Sequence, residues 1–210
     1  MSPDRPTLSR RHGRRLGVLL AVFVTPLVAA GPASAACATT ATKKAFAAFG
    51  DKADYSLLPG GGFETGTTFG WNFGLSSVVA GNETSFIGLK TDSKSLAVPA
   101  KAITVSPKFC VGVEHPTFRF FAKRRSGTWQ NLQVKLRWTD SRGNVNTTAV
   151  GALNGSDFAT WKPTPSFKLA QTLPLWQAGQ TITAQIVLDP EDYGGDWQVD
   201  DIYIDPYRRT

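Results

Sequence analysis

The chain has 210 residues, of which 41% are hydrophobic and 19% charged, enough apolar material for one well-packed domain. Its formal net charge is +7, but the five Arg and one Asp among the first 36 residues account for four of those charges. The +3 that remains is too slight a bias to support nucleic-acid binding.

Arg5, Arg10, Arg11, Arg14 and Arg15 precede an apolar run from Leu16 to Ala30, broken by Pro26 and followed by Ala33-Ser34-Ala35. Basic, apolar and small-residue segments in that order describe a secretory signal peptide. As a helix the run reaches only about 22 Å, short of a ~30 Å hydrocarbon core. Residues 1–36 are therefore expected to be cleaved, leaving a secreted product without a membrane span.

Both cysteines, Cys37 and Cys110, lie beyond the leader. In an oxidising compartment they are expected to form one disulfide, the alternative being two free thiols. Closing so long a loop should stabilise by roughly 4 kcal/mol in the chain-entropy model. Residues 37–53, with Phe46 and Phe49, read as a lead-in tethered by that bridge, its two Phe docked on the body.

Residues 54–210 read as strands separated by turn residues. Alternating or β-branched runs stand at Tyr55–Leu58, Ser76–Ala80, Ser95–Val98, Ile103–Val105 and Phe109–Val113. Stronger ones follow at Thr117–Arg124, Leu132–Thr139, Val145–Leu153, Thr181–Leu188 and Trp197–Ile204. Gly81-Asn82, Ser126-Gly127, Arg142-Gly143-Asn144 and Asn154-Gly155 punctuate them, while Pro163, Pro165 and Pro174 mark a long loop anchored by Trp161 and Trp176. No stretch keeps a 3.6-residue period long enough for a core helix. The pattern predicts an all-β antiparallel sandwich of about eight to ten strands.

Signals for catalysis are thin. His115 is the one histidine beyond the leader, and it precedes Pro116. No nucleophile elbow, zinc-protease helix or phosphate-binding glycine loop occurs, so a non-catalytic protein is expected. Strand parity offers a binding face instead. With Phe118, Phe120, Ala122, Leu132, Val134, Leu136 and Trp138 inward, Arg119, Phe121, Lys123, Gln133, Lys135 and Arg137 point outward and share a surface if their strands are neighbours. Rings and forked cations suit sugars, and Trp129, Trp161 and Trp176 in loops could stack on them. The alternative is a charged face that keeps the sheet soluble.

The two ends of this region carry matching motifs: Gly62-Phe63-Glu64-Thr65-Gly66 leading to Trp71, and Val199-Asp200-Asp201-Ile202-Tyr203-Ile204. They resemble the edges of galactose-binding-like jelly rolls, which include many carbohydrate-binding modules. The chain as a whole resembles a group of proteins secreted by high-GC Gram-positive bacteria. The resemblance implies a jelly-roll binding module for a glycan or another cell-envelope polymer, with a structural or protein-interaction role as the alternative and a polysaccharide hydrolase or lyase less favoured. It also implies a structural calcium held by Glu64 and Asp200. Simple alternation puts Asp200 on the face of Ile202 and Ile204, where a bare carboxylate needs a partner; backbone N–H groups could serve in place of a metal.

Overall fold

Ten strands form where the alternation predicts, two short ones form in the stretch expected to be a loop, and together they assemble into two antiparallel sheets packed face to face. The computed structural model describes residues 37, 40–64, 70–127, 129–175, 179–191 and 195–205; the expected leader lies outside them, as does Trp176. In chain order the strands are β1 Ser56–Leu57, β2 Ser77–Ala80, β3 Lys94–Val98, β4 Thr104–Val105, β5 Phe109–Gly112 and β6 Thr117–Arg124. They continue with β7 Asn131–Thr139, β8 Val145–Asn154, β9 Lys162–Pro163, β10 Phe167–Lys168, β11 Thr181–Asp189 and β12 Trp197–Ile204. Eight of these have four or more residues, which gives the expected antiparallel jelly-roll sandwich.

The first sheet runs β10-β6-β12-β3-β2, with β1 also on β12 and β9 also on β6; the second runs β4-β11-β7-β8, with β5 also on β11. Phe118, Phe120, Leu132, Val134, Leu136, Ile186, Leu188, Trp197 and Val199 fill the space between them. The proline-rich loop contributes β9 and β10 to the edge of the first sheet, where Pro163, lacking an N–H, is tolerated. Asp140 turns β7 into β8: its Oδ1 accepts the N–H groups of Arg142 (2.9 Å) and Asn144 (2.8 Å).

β12 departs from simple alternation. Asp200 pairs with Phe121 and Tyr203 with Arg119, so three steps on β12 match two on β6. This is a β-bulge, and Asp201 within it has a φ of 50°. Trp197 and Val199 face the inter-sheet core before the bulge, Ile202 and Ile204 after it. Asp200 therefore does not share the face of Ile202 and Ile204; it lies on the outer side of the first sheet.

That outer side is covered. Phe46 stacks on Phe121 with centroids 5.7 Å apart and meets Tyr55 and Tyr203 edge-on, closing a second apolar cluster. Lys43 and Tyr55 exchange backbone hydrogen bonds of 2.9 and 2.8 Å that hold the segment there. Cys37 and Cys110 are joined in a disulfide, and Cys110 stands on β5 of the second sheet. The lead-in thus reaches both sheets. Protein isolated without reductant should resist alkylation at both cysteines, and mass spectrometry showing two modified thiols would refute the bridge.

Candidate functional site

The six residues expected on one face are divided between two sheets. β6 and β7, though consecutive, belong to opposite layers of the sandwich, so Arg119, Phe121 and Lys123 are not neighbours of Gln133, Lys135 and Arg137. Phe121 is 1% exposed beneath Phe46 and is a packing residue. Arg119 is held by Asp51 at 2.7 Å and the Thr164 carbonyl at 2.8 Å, with its guanidinium over the Phe46 ring. The Lys123 ammonium sits 5.0 Å from the centre of the Trp161 ring. Trp129 is 80% exposed, at the β6–β7 connection.

Gln133, Lys135 and Arg137 do line an outer face, that of the second sheet. Their inward neighbours Leu132, Val134 and Leu136 are fully buried, which fixes the parity. On β11 the residue opposite Arg137 is Gln185. A cleft of about 920 Å³ opens at the end of this sheet where β7 turns into β8, bordered by the outward Arg137, Thr139, Thr183 and Gln185, by Lys108, and by Trp138 and Ile182 from the core side. Its size lies within the ordinary range of ligand sites. A smaller groove of about 290 Å³ holds Lys135 and Asp189, and Arg137 borders both. Trp138 contributes a half-buried indole to the cleft while also packing on the core. Sequence alone places Trp138 in the core and passes over Lys108.

A second cluster lies under the loop between β2 and β3. Asp200 and Asp201 are 0% and 2% exposed. Asp200 accepts the N–H groups of Glu83 (3.0 Å) and Asp201 (2.8 Å). Glu83, itself buried, accepts those of Ser85 (2.5 Å) and Ile87 (2.6 Å). The Oδ2 atom of Asp201 has no hydrogen-bond partner. Burial, then the charge of Asp201, pushes Asp200 up to about 9. Burial, then the charge of Glu83, pushes Asp201 up to about 7, against the opposing pull of Lys43.

The two end motifs meet here, though by other atoms than expected. A Cβ added at Gly62 or at Gly88 would lie 3.4 Å from Asp201 Oδ1, so two backbone segments close on that carboxylate. Glu64 turns instead to the N–H groups of Ser93 (2.8 Å) and Lys94 (2.7 Å), and among the described residues no hydrogen bond links it to Asp200. Glu83 and Asp92 give no signal in the sequence; both are isolated acids in a loop.

Cys37, Glu114 and His115 also gather, with candidate ligand atoms within 4.8 Å of one another. The Cys37 sulfur is engaged in the disulfide, and His115 Nδ1 accepts the Gly112 N–H at 3.0 Å. His115 is a turn lock.

No protein-family model and no curated protein matches this sequence. Among solved structures it is similar to the N-terminal CBM22-1–GH10 modules of the Clostridium thermocellum endo-1,4-β-D-xylanase 10B complexed with xylohexaose, at 13% identity and a TM-score of 0.48, over 74% of this chain and 28% of that one. It is also similar to the CBM22-1 xylan-binding domain of Paenibacillus barcinonensis Xyn10C, at 15% identity and a TM-score of 0.46, over 71% and 93% of the two chains. The family 11 carbohydrate-binding module of the Clostridium thermocellum cellulase Lic26A-Cel5E follows at 12% identity and a TM-score of 0.38, over 71% and 93%. At these values the likeness stops short of a family.

Proposed function

We propose that this chain is a secreted, non-catalytic module that binds carbohydrate or another cell-envelope polymer, with the cleft at the end of the second sheet as its site. The observation that carries the reading is one open cleft bordered both by the outward polar side chains of β7 and β11 and by Trp138, whose indole packs toward the core from the other side of β7. A ring surface can take the C–H face of a sugar while Arg137, Thr139, Thr183 and Gln185 meet its hydroxyls. Asp140 is the cleft's single described carboxylate and is engaged in the β7–β8 turn, whereas glycoside hydrolysis calls for a pair of acids flanking the bond.

The test is retention on immobilised polysaccharides. Trp138→Leu keeps an apolar cover on the core and removes the indole; retention should weaken by roughly fivefold to tenfold. Trp129→Leu, at the opposite end of β7, should change nothing. Equal retention of the parent and Trp138→Leu would move the site elsewhere, and no retention of the parent on any glycan would remove the reading.

We infer as well that the acidic cluster holds calcium. Its donors are oxygens, the preference of a hard cation, and the unpartnered Asp201 Oδ2 is buried among like charges. Asp201 and Asp200 would provide the carboxylates; Glu64, in the motif turn, stands as the further candidate. Bound calcium would neutralise the repulsion and fasten the first turn to the last strand.

A further inference from the structure

The charge of the cleft bears on which carbohydrate enters it, an inference that rests on the carbohydrate reading above. Each carboxylate on this face already has partners. Asp140 accepts three hydrogen bonds within its own turn, from the N–H groups of Arg142 and Asn144 and from Asn144 Nδ2. Asp189 takes Lys135 Nζ at 2.6 Å and the Glu191 N–H at 2.9 Å, so Lys135 is engaged too. Arg137 and Lys108 are different. Neither makes a salt bridge or side-chain hydrogen bond among the described residues, and both border the cleft.

Arg137 is the better placed of the two. It is only partly exposed, it stands between Gln185 and Thr147 on the sheet, and it borders both the cleft and the groove beside it. A polymer running along the face must cross it. A guanidinium offers five N–H donors in a planar fork that matches a carboxylate bidentately, and charge-assisted bonds are about twice as strong as those to neutral hydroxyls. The cleft presents cations in excess and no unengaged carboxylate to repel an anion.

The geometry points to an acidic polysaccharide, a polymer of uronic acid residues, as the ligand. Arg137 forks a sugar carboxylate, Lys108 adds a second positive charge at the rim, and Trp138 borders the same cleft from the core side of β7, where its ring can meet the pyranose face. Neutral polymers of similar backbone bind less tightly.

Affinity electrophoresis and calorimetry of the purified protein against four probes test this. The probes are polygalacturonate, its methyl ester, a neutral β-1,4-galactan, and polyglycerol phosphate as an anion without a sugar carboxylate. Polygalacturonate should bind at least tenfold more tightly than its methyl ester, roughly the worth of one charge-assisted bond. Arg137→Gln should erase that ratio, and Arg137→Lys should restore only part of it, since an ammonium lacks the fork. Lys168→Gln, an exposed cation on the first sheet, should leave it unchanged and controls for net charge. Equal binding of neutral and acidic polymers, unaffected by Arg137→Gln, would overturn the uronate preference and leave carbohydrate binding standing. Polyglycerol phosphate bound as tightly as polygalacturonate would overturn it in favour of plain charge attraction. Retention on no polysaccharide would overturn both.

Discussion

Stripped of divalent cations, the protein should become less stable as the pH rises from mildly acidic to about 9, and added calcium should reverse the trend. Asp200 and Asp201 are raised from an ordinary 3.8 to about 9 and about 7. In that window the folded state keeps protons that the unfolded chain has released. Their contribution is therefore complete below 3.8 and is lost as pH climbs through the folded values. Asp205, pushed by burial to about 6, adds to the lower part of the slope. Asp51 acts in the opposite sense: although burial works against it, hydrogen bonds from Tyr55, Arg119 and Ala53 hold it below 3.8, so its contribution fades only in acid.

The groups facing Asp201 are Glu83, Asp92 and Lys43, with Asp200 preceding it and the Tyr203 hydroxyl held protonated by the same burial and negative charges. With Asp201 itself, four acids against one ammonium leave the ionised cluster short of positive charge. A cation that binds only the folded state adds RT ln(1 + [L]/Kd), about 2.7 kcal/mol at a hundredfold excess. At roughly 2–4 °C per kcal/mol for a domain of this size, calcium should raise Tm by several degrees at pH 8 and by less at pH 5. Asp201→Asn, which replaces an unpartnered oxygen, should lessen the slope in chelator, leaving the part due to Asp200 and Asp205, and abolish the response to calcium. Melts across this range in chelator and in calcium decide it. A flat profile in chelator would dispose of the buried-charge account; a sloping profile that calcium leaves untouched would dispose of the metal.

Why the sequence reveals some of this and conceals the rest can be traced to particular residues. Period-2 alternation identifies inward and outward sides, and Phe118, Phe120, Leu132, Val134 and Leu136 point inward as expected. The same pattern is silent on which sheet a strand joins. Whether Ser126-Gly127 turns back along one sheet or crosses to the other leaves the alternation of β6 and β7 unaltered. Nor does it say what covers an outward side. Phe121 points outward from the sandwich, as parity requires, and is buried because the lead-in lies on it. The bulge was legible in principle. Trp197, Val199, Ile202 and Ile204 step by two, three and two residues, and the odd step marks the inserted residue. The acidic cluster was half legible: Asp200 and Asp201 stand in a motif, whereas Glu83 and Asp92 reach them only through the path of the β2–β3 loop. Arg137 was found by parity. The cleft beside it depends on how the loop around Pro174 and Leu175 lies against β7 and β11, which local pattern does not encode.

The covered outer face leads to the last expectation: Phe46→Ala and Phe121→Ala should each destabilise by about 3–5 kcal/mol, as buried Phe-to-Ala changes do. Both side chains are at most 1% exposed and stack on each other. Phe46 further contacts Tyr55, Tyr203 and the Arg119 guanidinium, 4.6 Å from its ring centre. Losing it uncovers apolar area on β6 and β12 and removes the lid over Arg119 and its 2.7 Å ion pair with Asp51. Because the two rings share one contact, the double variant should cost less than the sum of the single ones. Phe49→Ala should cost far less, since Phe49 is 40% exposed and meets only the edge of this cluster. Polysaccharide retention of the folded fraction should be unchanged in Phe121→Ala, because the cleft belongs to the other sheet. Thermal melts paired with retention separate the outcomes. Loss of retention in Phe121→Ala without loss of Tm would place the binding face on the first sheet and make the lead-in its removable cover.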